Sequence, residues 1–151
     1  MKDYQLAQVN VSRMKGQSIM DPEMKGFRDH TAMIHTMADN APGFIWRPPF
    51  DSDNTSASNP LVDDQLLINI SVWQDVDSLK DFTYNTFHSN IMKRQREWFQ
   101  KYGSAHYALW WIIAGDFPSE RQAIEKLNQL ENKGPTAEVF TFKNIYDKPT
   151  L

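Results

Sequence analysis

No cysteine occurs in the 151 residues, so disulfides, thiolate nucleophiles, zinc–thiolate sites and iron–sulfur clusters are all excluded. That composition suits a reducing compartment. Long apolar runs are also missing. The N-terminal "MKDYQLAQVNV" becomes alternating after three residues, with neither a signal peptide nor a membrane span, so a cytoplasmic location is expected. Positive charge is not in excess: the net charge is −3 and the pI is near 5.8. A nucleic-acid or membrane-surface partner needs clustered Lys and Arg, and the short run Lys93, Arg94 and Arg96 reads instead as a solvated helix face. There are only six glycines, and no glycine-rich phosphate loop follows a strand. His30 and His35 lie five apart on a predicted helix, about 140° around it, too far for one metal by local spacing. No metal site is expected.

What is present suits one core. At 17.6 kDa and 40% hydrophobic residues, the chain reads as a single domain over 1–151, with residues 144–151 as a tail. "YQLAQVNVS" alternates as a half-buried strand, placing Ala7, Val9 and Val11 on one face and Leu6, Gln8 and Asn10 on the other. A helix over 21–39 opens with Asp21 and Pro22 and carries the stripe Phe27, Thr31, Ile34, Ala38. After the turn "NAPG" comes the strand "FIWR", stopped by Pro48 and Pro49. Residues 51–65 are small and polar, and are expected to form a lid or binding loop.

In the strand "LLINISVW", Leu66, Ile68, Ile70 and Val72 make a wholly aliphatic face, while Leu67, Asn69, Ser71 and Trp73 make a mixed one. The helical region "DVDSLKDFTYN" follows, then "YNTFHSNIMKRQREWFQ" over 84–100, with a break expected near Asn85 and Thr86. In this second stretch Tyr84, Ile91, Met92 and Phe99 share one side of a helix, yet His88 and Gln95 fall among them. A buried imidazole or amide without a partner costs about 1–3 kcal/mol, so either the core supplies partners or this helix borders a cavity. Beyond it, "AHYALWWII" reads as a strand with His106, Ala108, Trp110 and Ile112 on one face. A capped helix over 119–134 carries the stripe Ala123, Ile124, Leu127, Leu130, and "AEVFTFK" reads as a last short strand.

The order β-α-β-β-α-β-α-β predicts an α+β fold: a ferredoxin-like antiparallel sheet with helices on one face and an added C-terminal helix and strand. The second face, with Gln8, Asn10, Asn69, Ser71, Trp46, Trp73 and Trp110 as its candidates, is too aromatic for water and too polar for an ordinary core. A second copy packed face to face would enclose it as a polar–aromatic cavity.

With the strings "LINISVWQDVDSLKDFTY", "LWWIIAGDFPS" and "GPTAEVFTF" in view, the sequence resembles the dimeric α/β-barrel superfamily, which includes the antibiotic-biosynthesis monooxygenases and the haem-degrading monooxygenases. It is most similar to a bacterial domain-of-unknown-function family near them. The resemblance runs from about Tyr4 to Phe142 and implies a homodimeric barrel with the active site between the sheet's inner face and the following helix. In quinone-forming members an Asn and a Trp stand four apart on the third strand, as Asn69 and Trp73 do here, whereas Leu79 stands where that group has a helical Tyr. Asn10, Trp73 and His88 are similar in placement to residues of the haem degraders, with a longer Trp-to-His interval.

The expected function is that of a small oxygenase-like enzyme, free of cofactor, acting on a flat aromatic or polycyclic phenolic molecule. His88 would take the substrate's acidic proton, Asn69 would bond the resulting oxyanion and Trp73 would stack on the ring. Asn10, Trp46, Arg47, Tyr84, Gln95, His106 and Trp110 would line the site, with Arg47 meeting an acidic group. Two other readings stay open: haem bound through His88, and a non-catalytic dimer that binds a small ligand. For His88 the bland reading is a core imidazole bonded to a backbone carbonyl or to Gln95. All the barrel readings share an expected assembly. Sedimentation at micromolar concentration should show about twice the chain mass, and a stable monomer would sink the barrel.

Overall fold

The computed structural model describes residues 3–14, 22, 35–48, 66–87, 99–100 and 107–149. Strand β1 (Tyr4–Met14) is its axis. Along one side it pairs antiparallel with β3 (Leu66–Trp73), so that Leu6 faces Trp73, Gln8 faces Ser71 and Asn10 faces Asn69. Along the other side it pairs antiparallel first with β5 (Tyr107–Ile113) and then, at Arg13 and Met14, with β4 (Phe99–Gln100). The short β2 (Phe44–Trp46) adds to the outer edge of β3. The order is therefore β2-β3-β1-β5 with every neighbour antiparallel. This is the ferredoxin-like arrangement, in which each split βαβ unit leaves room for a strand of the other.

Alternation along β1 divides the interior in two. Ala7, Val9 and Val11 join Ile70, Val72, Ala108, Trp110 and Ile112 in an aliphatic layer. Helix α2 (Glu120–Lys133) covers that layer with Ala123, Ile124, Leu127 and Leu130, the stripe its sequence predicts. Its start is held by Ser119, whose Oγ accepts from the Gln122 amide at 3.1 Å; its end turns at Gly134, φ 76°. On the opposite side Leu6, Trp73, Leu109 and Phe140 form a second layer. Helix α1 (Val76–Phe87), capped by Asp75 through its 2.8 Å bond from the Ser78 amide, adds Val76, Leu79 and Phe82 to it. Among the described residues no helix is long and apolar enough to cross a membrane.

Four expectations are corrected. Trp110 belongs to the aliphatic layer under α2 and not to the polar face, because Ala7, its partner on β1, points that way. Trp46 also packs against the aliphatic layer, where it stacks on Phe117 with centroids 4.7 Å apart. The segment "AEVFTFK", expected to be a last strand, is a series of turns with two local bridges, Thr136 to Val139 and Thr141 to Asn144, and one bridge to the sheet, Leu109 to Phe140, made by a 2.9 Å and a 2.8 Å backbone bond. Thr136 and Thr141 explain this: their hydroxyls accept from the Glu138 and Lys143 amides, so local bonds take donors that a ladder would need. Finally, α1 continues through Asn85 and Thr86, and Phe99–Gln100 is strand, so the stretch 84–100 is not one helix. The predicted lid, 51–65, lies outside the described residues, as do most of the first helix, His88, Gln95 and His106.

One glycine is obligatory. Gly43 turns the chain into β2 at φ 84°, and its carbonyl accepts the Gln74 amide at 2.7 Å, tying the turn to the end of β3. A Cβ at this position would collide with Cβ and Oγ of Ser78 on α1. Gly43→Ala should therefore cost about 2–4 kcal/mol in denaturant unfolding, the sum of a left-handed backbone and a forced shift of α1. A loss under about 1 kcal/mol would show that the turn relaxes freely.

Candidate functional site

On the second sheet face the described polar side chains of β1 and β3 form one continuous patch. The opposed pairs Gln8–Ser71 and Asn10–Asn69 bring four polar side chains together where β1 and β3 run side by side. Asn10 Nδ2 donates to Gln8 Oε1 at 3.2 Å. Gln8 Nε2 donates to Ser71 Oγ at 2.7 Å and to Asn69 Oδ1 at 3.3 Å. Trp73 Nε1 completes the chain with a 2.8 Å bond to the same Ser71 Oγ. Gln8 and Ser71 are each 7% exposed, whereas Asn10 is half-buried and Asn69 lies open to solvent. The network thus has a buried floor and an open rim.

Its chemistry is neutral and directional. An indole N–H can only donate, so the Trp73 bond sets Ser71 as acceptor at that end. The outermost groups are then the Asn69 Nδ2 hydrogens and the Asn10 Oδ1 lone pairs, one donor and one acceptor on adjacent strands. Such a pair can recognise a ligand edge carrying an oxygen beside a hydroxyl or N–H. The Asn69 amide is an uncharged dipole suited to an oxygen on which negative charge develops.

Trp73 takes a different part from the stacking ring expected of it. It is 1% exposed, enclosed by Phe44 edge-on at 5.3 Å and by Phe82 at 5.1 Å, so neither of its faces is open to a ligand. It anchors Ser71 instead. Arg47 is also spoken for: Nε and Nη2 make a two-pronged pair with the Asp39 carboxylate, both at 3.0 Å, which corrects its reading as a clamp for an acidic substrate. For Tyr84 only the backbone is described, within α1. Of the ten residues singled out by sequence, the structure brings together Asn10, Asn69 and Trp73. It adds to them Gln8 and Ser71, which alternation already places on the polar–aromatic face; that they bond to each other depends on the β1–β3 register.

A family model described as a domain of unknown function, DUF3291, matches residues 5–151. The chain belongs to this family. No curated protein matches it. Among solved structures it is similar to SnoaB, described as a cofactor-independent oxygenase from Streptomyces nogalater, at 17% identity and a TM-score of 0.47 over 76% of this chain and 95% of that one. It is also similar to a candidate antibiotic biosynthesis monooxygenase from Nitrosomonas europaea, at 12% identity and a TM-score of 0.47 over 77% and 92% of the two chains. Superpositions this loose bear on neither chemistry nor substrate.

Behind β2, His35 packs beside the Arg47–Asp39 pair, and its pKa is lowered, first by burial and next by the Arg47 charge, with Asp39 opposing. A histidine whose folded pKa lies below its unfolded one binds fewer protons when folded, so its contribution to stability is present above the unfolded value and lost as pH falls. Denaturant midpoints should drop between about pH 7.5 and about pH 5.5, and His35→Asn should flatten that slope. An unchanged slope in the variant would assign the pH dependence elsewhere.

Proposed function

We propose that the chain is a small oxygenase-like enzyme that binds a flat phenolic molecule against the polar patch of its sheet. The observation that supports this reading is the exposed Asn69 amide, held by a buried hydrogen-bonded network beside an aromatic layer. A structural network has no need of an exposed member, and Asn69 Nδ2 donates to nothing among the described residues. In this reading the phenol loses its proton to His88, which directly follows α1 in the sequence, and its oxygen is held by Asn69. A phenolate is electron-rich enough to pass an electron to dioxygen itself. The protein then supplies a base, a dipole and a cavity shielded from water, and no bound cofactor is called for. A second copy laid over the open rim would provide that shielding.

The test is oxygen uptake with anthrone. There the ring methylene becomes a carbonyl with one atom of dioxygen, and the other atom leaves as water with the two methylene hydrogens. Wild type should accelerate uptake, and Asn69→Ala and His88→Ala should each lower the rate by about 10²–10³-fold, with the double variant little worse than either, since both act on one transition state. No acceleration by wild type across anthrone and related polycyclic phenols would remove the enzymatic reading and leave a small-ligand binder.

A further inference from the structure

The buried floor of the network contains a hydroxyl proton that the network's own bonds leave over. Ser71 Oγ accepts from Gln8 Nε2 at 2.7 Å and from Trp73 Nε1 at 2.8 Å, which occupies both lone pairs of the hydroxyl. Its own hydrogen donates to nothing among the described residues, although the residue is only 7% exposed. A buried hydroxyl that accepts twice is polarised by both bonds and becomes a stronger donor than a free one. No described residue provides its acceptor. Asn69, two residues earlier on the same face of β3, has an equally unused donor in Nδ2.

We propose that Ser71 is a second donor to the ligand oxygen, so that Asn69 at the rim and Ser71 at the floor hold one phenolate or enolate oxygen between them. This rests on the phenol-binding reading above and goes beyond it in assigning a residue and a ligand charge state. Gln8 becomes the positioning residue: its amide faces Ser71 with Nε2 and Asn10 with Oε1, which forbids Ser71 from donating inward. Turned by 180°, the same amide would present Oε1 to Ser71 and take that proton. Asn10 holds it in the first orientation through its own Nδ2. Two donors on one oxygen favour the ionised ligand and lower the pKa of a bound phenol, by about one unit for each donor.

The probe is 4-nitrophenol, whose ionised form absorbs visible light, titrated against pH with saturating full-length protein. Wild type should lower the apparent pKa of the bound phenol by about two units relative to the free probe. Asn69→Ala should return about half of that shift: the side chain is exposed, and Gln8 keeps its bond from Asn10 Nδ2. Ser71→Thr, which keeps the hydroxyl, should match wild type, while Ser71→Ala should match Asn69→Ala. If Ser71→Ala fails to fold because it strands the Trp73 indole, the comparison of wild type with Asn69→Ala still decides. A full return of the pKa to its free value in Asn69→Ala would overturn the Ser71 assignment and place its proton on a reversed Gln8. Absence of any 4-nitrophenol binding by wild type would overturn the phenol reading and the donor pair together.

Discussion

Everything in this molecule hangs on β1 lying between two antiparallel neighbours. Its residues 6–10 are paired on both sides, to β3 and to β5, so its alternation is imposed on the whole sheet. Ala7, Val9 and Val11 could not move to the other face without dragging Gln8 into the aliphatic layer, where its amide would lose every partner. An unsatisfied buried amide costs about 1–3 kcal/mol, and displacing three aliphatic side chains would add a similar amount for each. A one-residue slip is therefore excluded by several independent terms of the same sign.

The polar patch exploits that rigidity. Four side chains with amide or hydroxyl groups are carried on two strands whose register cannot shift, so their mutual distances are set by the sheet and not by their own flexibility. Trp73 contributes a bond of fixed direction. Because the indole N–H cannot accept, Ser71 is its acceptor at the buried end, and beyond Ser71 the order of donors and acceptors follows the Gln8 amide, which donates to Ser71 and Asn69 and accepts from Asn10. Phe44, Leu79 and Phe82 hold the indole in place, which links the aromatic packing under α1 to the position of the Ser71 hydroxyl.

The edges of the sheet are handled in two ways. On the outer flank of β3, Gly43 lets β2 enter closely enough for its carbonyl to take the Gln74 amide. On the outer flank of β5 a single bridge to Phe140 suffices: the Thr136 and Thr141 hydroxyls curl the C-terminal segment into turns that drop Phe140 and Phe142 onto the second layer. Short, interrupted edges offer little to a foreign strand.

Elements with a strong period were legible from the residues alone. The alternation of "QLAQVNV" and "LINISVW" and the stripe of α2 follow from side-chain geometry within one element, and the structure places Ala7, Val9, Ile70, Leu127 and Leu130 where the period puts them. The element order likewise carried the ferredoxin-like topology. Local sequence could not decide between competing uses of the same backbone amides, so "AEVFTFK", whose threonines outbid the ladder, was read as strand. Nor could it say which face of β5 meets which face of β1, and Trp110 was assigned to the polar side although its partner Ala7 turns it toward α2. Asn69 and Trp73 stand out on the mixed face of their strand and through the family resemblance, but the enclosure of Trp73, the pairing of Arg47 with Asp39, and the bond between Gln8 and Ser71 depend on residues about 8 to 63 positions apart meeting in space. Period is a property of one segment, whereas register and enclosure are properties of two segments at once, and only the folded sheet specifies them.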